Sequence, residues 1–358
     1  MKIVVIGGGV CGLSIGWRLA QAGAEVTLLE RAQPGAAATW AAAGMLSATA
    51  EHGSSAAAET QFALRSAELW PEFAAEIEAQ SGIALGYARS GTLMVAQSDV
   101  ELSALAARYD GAGIARLSAA EVRAREPMLG PDIAGALFDP DEAQVDNRAL
   151  GPALALAFRR AGGRLLINEP VMRIESENGH ATGARTPFAL HQADAFIVAA
   201  GAWSGEILGL PPIPTKPMKG EMIALAPPMG VPLPTHMLWG NEVYLVARHG
   251  RLLVGATVED RGFDTSLSDA AREWLSEHAT GLIPSLERWG LAEHWAGLRP
   301  GSPDGLPLLG KTALDGVFVA SGQFRNGILF APAIADAMRG LILGQRPLAP
   351  EFDLGRFA

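Results

Sequence analysis

Apolar residues fill Ile3-Val4-Val5-Ile6 without interruption, recur at Leu13, Trp17, Leu19 and Ala20 with helical spacing, and return as the block Val26-Thr27-Leu28-Leu29. That pattern reads as strand, helix, strand. Gln21-Ala22-Gly23-Ala24 ends the helix, and Glu30 closes the second strand. Between the first strand and the helix stands Gly7-Gly8-Gly9-Val10-Cys11-Gly12, a Gly-x-Gly-x-x-Gly series. Gly7 permits a tight turn, Gly9 lets the backbone approach a pyrophosphate, and Gly12 lets the helix lie close to the strand. Amides at the helix start then face the anion. Glu30 lies 18 residues beyond Gly12, where a carboxylate accepts hydrogen bonds from the ribose hydroxyls of an adenosine. The alternative, a glycine-rich turn that binds nothing, is disfavoured because all elements of the fingerprint occur in order.

Further along, residues 36–44 are a run of small residues. They read either as a plain Ala-rich helix or as a segment kept small so that its backbone can lie against a flat, bulky cofactor. Phe62, Leu69, Trp70, Phe73 and Ile77 form a helical core stripe over 59–79, with Pro71 either kinking that helix or starting a new one. Residues 91–96 read as a strand. Ser118 and Glu121 form a capping box for a short helix that ends before Pro127. A helix spans 150–160, strands follow at 164–167 and 171–175, and a buried strand at 193–200 runs into Gly201-Ala202-Trp203. The Pro-rich stretch 211–217 marks a crossing between domains. Strands 243–248 and 251–257 form a hairpin turned at His249-Gly250. A strand at 317–321, the turn 322–327 and a long helix over 328–343 complete the chain.

Composition narrows the function. The 358 residues suit two domains with real cores, and 49% hydrophobic against 18% charged residues describe a globular chain. A net charge of −10 disfavours a nucleic-acid partner. The single cysteine, Cys11, cannot form a disulfide within the chain, which fits a reducing cytoplasm. The chain opens on a strand rather than a basic and apolar leader, and no apolar run is long enough for a membrane span. Neither histidine spacing nor a cysteine cluster suggests a metal site. Gly12-Leu-Ser14-Ile-Gly16 matches the hydrolase pattern Gly-x-Ser-x-Gly, but Ser14 lies inside the predicted helix instead of on a sharp turn.

Several segments, in chain order, carry a more specific likeness. They are the Gly7–Gly12 loop, Glu30, Ala41-Ala42-Ala43-Gly44-Met45-Leu46, Val198-Ala199-Ala200-Gly201-Ala202-Trp203-Ser204, Pro217-Met218-Lys219-Gly220-Glu221, Trp295-Ala296-Gly297-Leu298-Arg299-Pro300-Gly301 and Phe324-Arg325-Asn326-Gly327-Ile328-Leu329. Together they resemble the D-amino-acid oxidase superfamily of flavoproteins, and within it glycine oxidases of the thiamine-biosynthesis type. The resemblance implies an α/β fold: a Rossmann-like FAD-binding domain of the glutathione-reductase type (1–45, 145–205 and 300–358) and an inserted α+β substrate domain on a mixed or antiparallel sheet (46–144 and 206–299). It implies non-covalent FAD, since no cysteine stands in the C-terminal part to tether a flavin. Val10, Cys11, Glu30 and Arg31 would hold the ADP half, and Val171 the adenine side. Ala38, Thr39 and Ala43-Gly44-Met45 would line the pyrophosphate and ring. Ala200, Gly201 and Trp203 would complete that wall, and residues Gln323 to Leu329 would wrap the pyrimidine end.

The same resemblance implies oxidation of a small amino acid or amine by hydride transfer from Cα to the flavin, reoxidation by O2 to hydrogen peroxide, and hydrolysis of the imine to an oxo acid and ammonia. It also implies a homotetramer. Arg299 is the expected carboxylate anchor because a guanidinium fork matches a carboxylate; its alternative is an arginine capping carbonyls. Tyr244 matches a family tyrosine that helps hold the carboxylate, the alternative being a core tyrosine. Arg325 would offer its backbone carbonyl to the amine, and Met45 would pack near the ring. The start of the last helix, near Gly327, would stabilise negative charge on the reduced ring, or serve only as a helix cap. Glu242 stands where these oxidases can carry a histidine, and would shift amine preference. Two rival activities stay open: an FAD dehydrogenase that passes electrons to a quinone or another acceptor, and a flavin-binding protein without turnover.

Overall fold

The computed structural model describes residues 1–53, 57–109 and 113–357. Its organising element is a six-stranded sheet in the order Leu308–Lys311, Val317–Ser321, Ala195–Val198, Lys2–Ile6, Glu25–Glu30, Arg164–Ile167. All its neighbours pair in parallel except the first two strands. The unbroken apolar run at the N-terminus now has a cause. Ile3 and Val5 enter the core beneath the helices Val10–Gln21, Asn147–Arg160 and Ala331–Ile342, whereas Val4 and Ile6 enter a second core with Ile174, Ala184 and Phe196. Both faces of the strand are buried, so no polar alternation survives.

An eight-stranded mixed sheet forms the other layer, in the order Gly290–Gly301, Lys216–Ala226, Arg251–Gly255, Val243–Arg248, Met237–Gly240, Thr92–Ala96, Gly135–Asp139, Ala115–Ser118. The period of two sorts its long strands. Ile223 and Leu225 pack with Leu275, Ala279 and Leu282 of the helix Asp269–Leu282. Met222 and Ala224 turn the other way, to Ala41, Ala43, Val246 and Trp295. The second face is the one that meets the nucleotide-fold side of the molecule.

Most elements that the hydrophobic pattern places are present; the helices Asp99–Arg108 and Asp269–Leu282 and several short strands stand outside it, and four further points differ. Residues 36–44 contain only the one-turn helix Ala38–Ala41 and then run extended into Met45–Leu46. Pro71 sits inside one continuous helix, Ala58–Ser81, and starts no new one. The last helix begins at Ala331, after turns at residues 327–330. The 12-residue strand Gly290–Gly301 and the 11-residue strand Lys216–Ala226 have no counterpart in the pattern. Both are interrupted by Gly, Pro and charged residues, which only strand pairing reconciles with a buried position.

One buried carboxylate has a measurable consequence for stability. Glu142 accepts hydrogen bonds from the amides of Thr49 and Ala50 at 3.0 and 2.7 Å. Burial pushes its pKa up to about 7 from an ordinary value of 4.5. The folded chain therefore holds that proton more tightly than the unfolded chain. Its contribution is complete below about pH 4.5 and is lost as pH rises to about 7, a change of about 3 kcal/mol. In Glu142→Gln, whose carbonyl still accepts from both amides, melting temperatures measured across this window are expected to lose that slope. An unchanged slope would refute the assignment.

Candidate active site

Between the two sheets lies a cleft of about 620 Å³. Ligand sites are ordinarily of this size. At one end is the turn after the first strand, and each glycine there has a distinct geometric reason. A Cβ on Gly7, whose φ is +106°, would overlap the Ala199 carbonyl, and one on Gly12 would overlap the carbonyl of Gly7. A Cβ on Gly9 would meet nothing closer than Thr39 Oγ1 at 3.7 Å. Gly9 thus leaves room for a ligand, while Gly7 and Gly12 permit the backbone to close. The first helical turn has amides without intrahelical acceptors, and that of Val10 donates to Thr39 Oγ1 at 3.0 Å. Beside it, Glu30 accepts from the amides of Gly8 and Ala32 at 2.6 and 2.8 Å. Arg31 lies 3.6 Å over the Trp203 ring, which in turn stacks on Phe263.

The middle of the cleft is walled by residues 39–45, and their carbonyls are tied down from behind. Asn147 Nδ2 donates to the Thr39 and Trp40 carbonyls, Trp295 Nε1 to Ala41, and Arg248 Nη1 to Ala43 at 2.6 Å. Val145 N reaches the Gly44 carbonyl at 2.8 Å. Gly44 has φ +74°, and a Cβ there would collide with the Val145 carbonyl. Burial lowers Arg248 to about 10, and its remaining acceptors are the neutral amides of Asn147 and Gln144. Thr39 and residues 41–45 line the cleft. Opposite runs the loop 322–327, where Phe324 adopts φ +46° and its amide donates to the Pro300 carbonyl at 2.8 Å. Such backbone strain in a non-glycine residue concentrates at functional sites.

At the far end stand Arg299, Tyr244, Arg325 and Glu51. Arg299 lies flat across Gly220, its Nη1 donating to the carbonyls of Thr257 at 3.0 Å and Lys219 at 3.4 Å. Nearby, Lys219 and Glu221 form a buried ion pair of 2.7 Å, and Glu221 also accepts from the Ser268 amide and contacts His294 Nε2 at 2.7 Å. Burial opposes the Glu221 charge, but Lys219, Ser268 and His294 outweigh it and hold the carboxyl below its usual range. This chain of charges joins the strand Lys216–Ala226 to the loop that carries the Thr257 carbonyl. Burial lowers Arg299 and raises Tyr244, and the two groups interact electrostatically. The Tyr244 hydroxyl also donates to Met222 Sδ at 3.5 Å.

The cleft gathers nearly all the residues singled out in the sequence. Gly12 and Leu329 are the exceptions: Gly12 lies against the Gly7 carbonyl, and the Leu329 carbonyl accepts from Ser66 and Trp70 on the helix Ala58–Ser81. Glu242 lines the rim, largely exposed, 3.6 Å from His278. Ser14 is fully buried within its helix and has no place in the cleft. Burial pushes the Cys11 thiol up to about 12. Glu51, Gly220, Met222 and Trp239 also line the cleft without having been assigned to it. Glu51 follows the Met45-Leu46 signal by only a few residues, Gly220 stands in a segment that carries the family likeness, and strand pairing brings Met222 and Trp239 in. Among the described residues no cluster of His, Cys, Asp and Glu is arranged for a metal ion, and no helix is long and apolar enough to cross a membrane.

The cleft suits an extended dinucleotide. It offers a glycine-floored helix start at one end, a wall of small residues in the middle, and near residue 323 a Gln323 Nε2 that is buried without a partner among the described residues. Comparison with known proteins agrees with this shape. A family described as FAD dependent oxidoreductase matches residues 2–341. The bifunctional protein ThiO/ThiG of Trichormus variabilis is 36% identical over 99% of this chain and 55% of its own length. The chain spans about half the length of the curated relatives of this kind. The glycine oxidase of Geobacillus kaustophilus is 34% identical over 99% of this chain and 96% of the relative. The crystal structure of glycine oxidase from that organism superimposes with a TM-score of 0.92 at 32% identity, covering 99% of this chain and 98% of the other. Iminodiacetate oxidase from Chelativorans sp. BNC1 superimposes at 0.88 with 28% identity, covering 97% of both chains. The chain belongs to the family of FAD-dependent oxidoreductases.

Proposed function

We propose that the protein oxidises small amino acids, glycine foremost, to the corresponding imines. The observation that carries this reading is the juxtaposition of Arg299 and Tyr244 with a cleft shaped for a flavin dinucleotide. FAD, when bound, supplies the two-electron acceptor. The chain's own residues hold and orient the reactants. Gly9 and the first helical turn would receive the pyrophosphate, Glu30 would accept from ribose hydroxyls, and Val171 would border the adenine. Residues 39–45 and 323–328 would enclose the ring. The last helix begins only at Ala331 and its first residues do not line the cleft, so the turn 323–328 rather than the helix end would border the ring.

Arg299 takes the substrate carboxylate. Its guanidinium is already fixed by two carbonyls, so little freedom is lost on binding. The hydroxyl of Tyr244 borders the same carboxylate, and Met45 packs near the reacting carbon. The similarity to glycine oxidases supports the choice of glycine. On this reading residues 1–45, 145–205 and 300–358 serve the cofactor, and 46–144 and 206–299 face the substrate.

The test is direct. The purified protein is expected to be yellow and to bleach under anaerobic conditions when glycine is added, with sarcosine and D- and L-amino acids as the comparison panel. Admitting oxygen restores the colour and releases hydrogen peroxide. Bleaching without peroxide, relieved by a quinone, would instead identify a dehydrogenase. No bleaching by any amine would sink the proposal.

A further inference from the structure

The cleft contains opposite charges that do not touch. Arg299 and Arg325 line it, and so does Glu51, from the short helix Ala48–His52. The three groups interact electrostatically, yet no ion pair joins Glu51 to either arginine, and its carboxylate has no hydrogen-bond or ion-pair partner among the described residues. Its backbone carbonyl is anchored by Arg108 Nη2 at 3.2 Å, and the amide of the preceding Ala50 by Glu142, so the helix holds Glu51 in place. A half-buried carboxylate without a partner favours a cationic group that completes it. A guanidinium and a carboxylate that line one cleft without pairing form a receptor for a zwitterion.

We propose that Glu51 is the catalytic residue that receives the substrate's ammonium group and takes a proton from it. This inference rests on the amino-acid oxidase reading and extends it. With the substrate carboxylate on Arg299, the ammonium end faces Glu51. One N–H bond breaks, its electron pair stays on nitrogen, and the proton forms an O–H bond on Glu51. The freed lone pair then forms the C=N bond as the Cα–H pair of electrons leaves for the acceptor. Glu51 returns its proton to solvent after the product departs. The carbonyl of Arg325 remains available for a second amine proton.

Charge and burial suit Glu51 to this task. Burial raises its pKa, and Arg325, Arg299 and Arg108 partly oppose the rise while Glu59 adds to it. Tyr244 and Tyr109 also interact with it electrostatically. A base is most effective when its pKa lies near the working pH. Glu242, largely exposed at the rim, lacks such surroundings.

The experiment compares the holoenzyme with its Glu51→Gln variant, using glycine for turnover and acetate as a probe of anion binding. Wild-type kcat/KM is expected to reach a plateau in the neutral range. The variant, dependent on free amine from solution, is expected to fall about 100-fold and to rise about tenfold per pH unit through that range. Acetate brings no ammonium, so it should bind wild type with uptake of a proton, and more tightly as pH falls. The variant should bind acetate about tenfold more tightly at neutral pH, without proton uptake. A residue that merely shapes the cleft would lower the rate without altering either pH dependence. If wild type turns over but the variant keeps the plateau, or if acetate binding to wild type is independent of pH, the assignment of Glu51 is wrong. If wild type is not reduced by any amino acid, the functional reading fails and this assignment with it.

Discussion

Arg299→Ala is expected to lower kcat/KM for glycine by about 10³-fold while leaving the protein yellow. A carboxylate in this cleft would lose its bidentate, charge-assisted partner in a desolvated setting, a loss of about 3–5 kcal/mol. Arg299 is half-buried and grips two backbone carbonyls, so its guanidinium is positioned before substrate arrives. Gly220 provides the companion test. A methyl group there would overlap the Arg299 guanidinium. Gly220→Ala should therefore reproduce most of the loss with the arginine still present, chiefly as a raised KM. Steady-state kinetics and the visible spectrum measure both effects. Near-normal kcat/KM in Arg299→Ala would remove the substrate half of the proposal and leave the cofactor half intact.

A second large effect is expected from Gly9→Val: a folded but colourless protein, with FAD affinity reduced by at least about 100-fold. Gly9 adopts φ −75° and ψ 178°, which any residue tolerates, and a Cβ there meets only Thr39 Oγ1 at 3.7 Å. The apo fold should therefore melt within about 2 °C of wild-type apoprotein, an ordinary surface-like effect. What valine fills is the floor on which the pyrophosphate would rest. Gly7 and Gly12 would make poorer tests, because side chains there collide with backbone and would disturb the fold itself. Retention of FAD by Gly9→Val would mean that the dinucleotide does not approach this turn.

Local signals made the nucleotide half of the molecule readable. Gly7, Gly9 and Gly12 are separated by fixed short spacings because one turn of backbone must accommodate strand, ligand and helix together. The capping box of Ser118 and Glu121 forms in full, and His249-Gly250 turns its hairpin with both residues at positive φ. These features depend on neighbours within a few residues, so sequence order alone displays them. The Asn178-Gly179 turn of the hairpin formed by Arg173–Glu177 and His180–Arg185 carries a similar signal, with positive φ at both positions, and went unread.

The substrate end was legible only in part. Arg299 and Tyr244 could be singled out, but not the glycines beneath them. Gly220 and Gly255 are ordinary strand glycines in the linear sequence; pairing places Gly220 under Arg299 and Gly255 under the Tyr244 ring. Lys219 and Glu221 belong to a segment that carries the family likeness, but nothing in the linear order shows them to be buried. They are buried because the loop after Gly255 and the strand Gly290–Gly301 cover them, bringing Ser268 and His294 to the same carboxylate.

By itself, the sequence determined a glycine-turned strand–helix–strand start and singled out most of the residues that the fold gathers in one cleft. Short-range backbone geometry dictates that start. Tertiary structure alone decided that Glu51 lines the same cleft as Arg299 and Arg325 without pairing to either, that Arg248 restrains residues 39–45, and that Glu242 stays at the rim. The reason is physical: those relations join residues far apart in the chain. Their energies depend on burial and opposing charge, which exist only after the two sheets have closed around the cleft.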